Sequence, residues 1–206
     1  MIDSVLRSKA MSALRDAIEA YEIIQNDTWD LLQEKCSCIR LGKGEILYSA
    51  GITPSSFSYV YTGLLRAFTT DEHGNEYTKI FFDKGSFPGS MRALLLSEPS
   101  EFTIETLEPS LIVTIPFNYY RELLRLKHDL ALFQIAYLEK NWVIAKEVRE
   151  VEIVMEEAAD RYRKFLLDNP DLQGRVQQYH IASHLGITPT QLSRIRKKYP
   201  EINLCK

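Results

Sequence analysis

Cysteine is scarce in this 206-residue chain: there are three, Cys36, Cys38 and Cys205. An odd number without a secretory signal argues against a disulfide framework and for reduced thiols in the cytoplasm. Three is also fewer than the four thiolates an iron–sulfur cluster takes. Cys36-Ser37-Cys38 lacks the two-residue spacer of a chelating pair. Histidine is nearly as sparse, at four. His73 falls in a turn, His128 starts a helix, and His180 and His184 share a helix with no third ligand nearby in sequence. No metal site is expected, and the helical pair is expected to meet solvent or phosphate.

Long apolar runs are missing too. Met1 to Ala20 mixes charges with apolar residues at helical spacing, and reads as neither signal peptide nor membrane span. There are no repeats and no low-complexity tract. There is no G-x-S-x-G elbow, no G-x-x-x-x-G-K loop and no H-E-x-x-H pair. Glu147, Glu150, Glu152, Glu156 and Glu157 lie on helical stretches as solvated faces. No enzyme is expected.

What is present is a hydrophobic content of 45%, enough for a core, and a net charge of −3 that is unevenly spread. Residues 156–206 carry nine Lys/Arg against six Asp/Glu, on an otherwise acidic chain. A basic end on an acidic body can hold DNA while the body avoids it.

That basic end contains the strongest motif, Gln178 to Lys198, which reads as a helix-turn-helix. Ile181, Ala182 and Leu185 share one face of a first helix, and Leu192 and Ile195 share one face of a second. Gly186 falls at the turn. Thr188-Pro189-Thr190-Gln191 fits a T-x-x-Q capping box with proline at the first helical position. The outward groups suit base edges and phosphates: Gln178, Thr188, Pro189, Thr190, Gln191, Ser193, Arg194 and Lys197.

Upstream, residues 3–24 and 28–35 predict two helices, the second capped by Asp27 or Thr28. Residues 37–116 are rich in β-branched and aromatic residues with glycine punctuation, which predicts a small antiparallel barrel or sandwich. Gly42-Lys43-Gly44 and Asp71 to Glu76 are its clearest turns, the second a hairpin. Phe117–Leu126 predicts a short helix, and residues 128–152 a long one. Tyr137, Asn141, Ile144, Val148 and Val151 alternate by four and three along it, a coiled-coil-like seam that two copies would cover. A hinge is placed around Val154–Glu157. The expected domains are therefore 1–153 and 154–206.

A barrel, a long helix and a C-terminal helix-turn-helix, in this order, resemble the Crp/Fnr family of bacterial transcription regulators. The resemblance rests on Lys43-Gly44-Glu45-Ile46-Leu47, Gly51, Tyr59 to Arg66, Gly74-Asn75-Glu76, Phe82 to Ser90 and the helix-turn-helix. It implies an α+β chain: an antiparallel β-roll like that of cyclic-nucleotide-binding domains with flanking helices, a long dimerisation helix, and a small all-α DNA-binding domain. It implies a cytoplasmic homodimer on double-stranded DNA, with RNA polymerase as a further partner. Family members follow the recognition helix with a β-hairpin wing, and Tyr199 to Lys206 is too short for a full one. Arg194 matches the family's base-reading arginine.

In nucleotide-binding members a Gly-Glu pair and a later Arg-Ser or Arg-Thr pair hold the ribose and phosphate. Here Ser86 stands where the glutamate is expected, and Ser100 or Glu101 where the arginine is. Effector-pocket candidates are Gly85, Ser86, Phe87, Gly89, Ser90, Met91, Arg92, Ser100 and Glu101. With the charge-assisted pair missing, tight binding of cAMP or cGMP is not expected, and the effector is unknown. The rival reading is a ligand-sensing or protein-interaction module whose helix-turn-helix has lost DNA affinity. A DNA mobility shift separates the two.

Overall fold

A computed structural model describes residues 2–147 and 156–199. Two helices open the chain, α1 (Ser4–Glu19) and α2 (Asn26–Lys35). The Asp3 carboxylate caps α1 by accepting from the Val5 N–H, and Ala10, Met11, Leu14 and Ile18 form its buried face. Helix α2 starts at Asn26 after an uncapped Gln25, so the expected cap at Asp27 or Thr28 is not used. Thr28 is instead buried. Its hydroxyl donates to Asp129, 3.1 Å away, a partner too distant in sequence to be foreseen.

Seven strands follow: β1 (Ser37–Leu41), β2 (Ile46–Tyr48), β3 (Ser56–Thr62), β4 (Leu65–Thr70), β5 (Glu76–Phe82), β6 (Thr103–Thr106) and β7 (Ser110–Pro116). They form a three-stranded sheet in the order β1-β7-β3 and a four-stranded sheet in the order β2-β6-β4-β5. The short helix α3 (Met91–Leu96) lies between β5 and β6. This is the expected antiparallel roll of an α+β chain.

Strands β3 and β7 pair antiparallel, with Tyr59 opposite Val113 and Val60 opposite Ile112. Each has four consecutive buried residues, 57–60 and 110–113, so both faces of each strand are covered there. Val60 and Ile112 join Leu65, Ala67 and Ile104 in one core. Phe57, Tyr59, Val113 and Ile115 join the helices in another, with Leu14, Ile18, Trp29 and Leu32. Gly63 makes the close approach possible. Its φ is +109°, and a Cβ there would lie 2.0 Å from Ser110 Oγ, so no side chain fits.

Helix α4 spans Phe117–Leu126, as the sequence predicts, and α5 begins at His128. The long helix is not uniform. α5 ends at Leu138, and Glu139–Ile144 is a π-helical stretch. There the i→i+5 pattern rotates the later residues away from the face that α-helical counting assigns.

By contacts the chain divides into two units. One comprises residues 1–67 and 81–144; the other comprises 68–80, the tip of the β4–β5 hairpin, with 145–206. The second unit contains α6 (Ala158–Asp168), α7 (Gln178–His184) and α8 (Pro189–Lys198). No helix among the described residues is long and apolar enough to cross a membrane.

Candidate nucleic-acid interface and effector cassette

The helix pair α7–α8 is built as its sequence implies. Ile181, Ala182, Leu185 and Leu192 are buried, and Ala182 and Leu192 are fully enclosed. Gly186 takes φ +68° at the turn, a conformation a side chain would strain. Thr188 Oγ1 accepts from the Gln191 N–H at 3.1 Å, and Gln191 Oε1 accepts from the Thr188 N–H at 2.8 Å. This closes the capping box and fixes where α8 starts.

Gln178, Thr188, Pro189, Thr190, Gln191, Ser193, Arg194 and Lys197 are all exposed. Those on α8 form a polar face with basic residues in its last turn. The oxygens of Thr188 and Gln191 are committed to the cap, so these two residues build the helix start first. Arg194 and Lys197 are exposed and make no ion pair with another described residue. Burial raises the Tyr162 hydroxyl pKa against α8, although the Arg196 guanidinium hydrogen-bonds it.

The two histidines of α7 differ in exposure. His180 is buried at 4% exposure. His184 Nδ1 lies 3.2 Å from the Thr78 carbonyl, and its ring packs on Phe165 with centroids 5.5 Å apart. The expected solvent or phosphate role is therefore corrected for His180, which is buried, while His184 is half-buried and meets the hairpin, remote in sequence.

The candidate cassette, residues 85–101, runs beside β3. The Gly85 N–H donates to the Val60 carbonyl at 2.9 Å, the Val60 N–H to Ser86 O at 3.0 Å, and the Ser58 N–H to Pro88 O at 2.8 Å. Ser86 thus serves the loop through its backbone, and its N–H is spent on Asp83 O. Ser90 is buried ahead of α3, and Gly89 sits with Phe57 where a Cβ would come 2.8 Å from that side chain. Met91 is packed against the helical core.

Arg92 is exposed and held by two carboxylates, Glu98 at 3.1 Å and Glu101 at 3.0 Å. The Ser100 hydroxyl donates to the Phe102 carbonyl and accepts from its N–H. The cassette's one arginine is therefore paired with two carboxylates at the surface, and Ser100 is spoken for. Phe87 turns the loop toward the long helix. Its ring lies 5.3 Å from Tyr59, 6.2 Å from Phe133 and 5.4 Å from Tyr137.

That packing also locates the long helix. Tyr137 meets Tyr21 at 5.5 Å, and Asn141 Nδ2 donates to the Tyr21 hydroxyl at 2.9 Å. Burial pushes the Tyr137 hydroxyl up to about 12, helped by the nearby Tyr21. Tyr137 is half-buried against this chain's own body, and Asn141 is exposed while bonded to Tyr21. Ile144 is exposed, and Val148 and Val151 lie outside the described residues. The apolar side chains that α5 and the π-helical stretch leave open are Leu132, Ile135, Leu138, Trp142, Val143 and Ile144.

Residues 38–127 match the cyclic nucleotide-binding domain family. No curated protein sequence matches the chain. Among solved structures the chain is similar to FixK2 from Bradyrhizobium japonicum, with TM-score 0.68, 16% identity, and 81% of this chain and 85% of that one covered. It is similar to the c-di-GMP-responsive global regulator CLP of Xanthomonas campestris, with TM-score 0.68, 17% identity, and 87% and 94% covered. The catabolite activator protein of Thermus thermophilus gives TM-score 0.51 and 21% identity over 86% and 84%. At these identities the likeness establishes a shared fold over most of the chain.

Proposed function

We propose that the chain is a homodimeric, sequence-specific DNA-binding transcription regulator of the Crp/Fnr type, with residues 154–206 as its DNA-binding domain. The observation that carries this is α8: capped at Thr188, anchored by Leu192, and presenting Thr190, Ser193, Arg194 and Lys197 outward together. Such a helix suits the major groove, with Arg194 set to reach guanine O6 and N7. Its action is regulatory rather than catalytic. It works in the cytoplasm, and RNA polymerase is its partner once DNA is bound.

The roll does not hold cAMP or cGMP tightly. The Arg92 guanidinium is shared between Glu98 and Glu101, and Glu101 would repel a cyclic phosphate. One mobility-shift experiment tests both statements. With DNA selected from a random pool, affinity falls steeply as salt rises, because phosphate contacts release counterions. Adding cAMP or cGMP at micromolar concentration leaves the shift unchanged. A chain that selects no DNA, or that shifts it only with a cyclic nucleotide, would sink the corresponding half of the proposal.

A further inference from the structure

Strand β5 is the open edge of the four-stranded sheet. Edge strands carry backbone groups that must be capped or solvated. At Glu76 and Thr78 the cap comes from α7. The Ser183 hydroxyl donates to the Glu76 carbonyl at 2.6 Å and accepts from the Thr78 N–H at 2.8 Å. One side chain thus answers two backbone groups, as a neighbouring strand would. His184 continues the row at the Thr78 carbonyl. That carbonyl can only accept, so the contact requires a proton on Nδ1.

The next residue is held as well. The Leu185 carbonyl accepts from Arg161 at 3.2 Å, and the same guanidinium reaches the Glu156 carbonyl at 2.6 Å. Ser183 and His184 end α7 and Leu185 is its C-cap, directly before the Gly186 turn. All three are fixed by groups outside the α7–α8 pair. Hairpin residues 68–80 and helices α6–α8 accordingly form one contact unit.

We infer that Ser183 is a positioning residue for DNA reading: by docking on the edge of β5 it fixes the helix-turn-helix to the β4–β5 hairpin and so sets where α8 presents Arg194. Ser183 touches no base. It acts through the turn that follows it, and this inference rests on the DNA-binding reading above.

The test compares the full chain with Ser183→Ala and Ser183→Thr. Amide hydrogen exchange at Thr78 reads the contact itself, and selection from DNA pools with variable half-site spacing reads the positioning. Ser183→Ala is expected to speed Thr78 exchange about tenfold and weaken DNA binding about tenfold, the size set by losing such a hydrogen-bonded contact. Base preference at each half-site persists while the tolerated spacing broadens, and Ser183→Thr, which keeps the hydroxyl, restores both. Faster Thr78 exchange with unchanged affinity and spacing would overturn the positioning role alone. So would unchanged exchange in Ser183→Ala. A wild-type chain with a protected Thr78 amide and no DNA affinity would overturn the DNA-binding reading, and the positioning role with it.

Discussion

Arg194 and Lys197 sit one turn apart on α8, both exposed, yet their expected roles differ. A guanidinium fork can bond guanine O6 and N7 together, whereas an ammonium is a point charge suited to phosphate. Arg194→Ala should therefore relax preference at one base position, at a cost of about 1–3 kcal/mol of discrimination. Lys197→Ala should weaken binding to all sequences alike and reduce the salt slope by about one. Selection followed by sequencing checks the first, and affinity against salt checks the second. Unchanged base preference in Arg194→Ala would remove it from the reading set. The residues that were legible in the sequence are those whose partners are close along the chain. Thr188 and Gln191 form their box three residues apart, and Gly186 answers a local demand for positive φ. Ser183 and His184 were not legible in this way, because Glu76 and Thr78 lie more than a hundred residues upstream.

Elements followed the same division, and their joints were the hidden part. The strand-rich region, its turns and α4 could be read from composition and turn chemistry. The joint between α2 and α5 could not. There Asp129 accepts from the Gln25 N–H at 2.8 Å and from the Thr28 hydroxyl, so one carboxylate ties the two helix starts together. Burial pushes this carboxyl up, but the hydrogen bonds from Gln25, Thr28 and Leu130 outweigh it and hold it below the ordinary aspartate value. A depressed value means that the stabilisation is complete above about pH 4, the unfolded aspartate pKa, and is lost as pH falls through the folded value. Asp129→Ala should cost about 1–2 kcal/mol at neutral pH, the worth of charge-assisted hydrogen bonds at a partly exposed site. The difference from wild type should shrink below pH 4. Urea denaturation at pH 7 and pH 3.5 measures both, and an equal deficit at the two values would refute the carboxylate's part. The π-helical stretch is the other hidden feature. A four-and-three spacing assumes a continuous α-helix, and Glu139–Ile144 breaks that count just after Tyr137.

At the scale of the whole molecule, the packing of α5 on its own chain bears on which face of the long helix is left for a second copy. Tyr137 and Asn141 already have partners in their own chain: the rings of Tyr21, Phe87 and Phe133, and the Tyr21 hydroxyl. Tyr137, half-buried among those rings, has little to offer another subunit, while Asn141 remains exposed. Leu132, Ile135, Leu138 and Trp142 leave 37%, 52%, 38% and 46% of their surfaces open, and Val143 and the seam's own Ile144 leave 54% and 59%, an apolar surface that water disfavours. Two such helices packed about a two-fold axis would cover each other's apolar surfaces, and the recognition helices would then come as a pair. The inner face would meanwhile stay on the cassette through Phe87, so one helix would touch the roll on one side and its partner on the other. If that is the arrangement, Ile135→Glu should place a charge in the interface and convert the dimer to monomers. Asn141→Leu should leave association intact and perturb only the packing around Tyr21. Sedimentation velocity on the two variants decides between the faces. Monomers from Asn141→Leu together with dimers from Ile135→Glu would return the seam to Tyr137, Asn141 and Ile144.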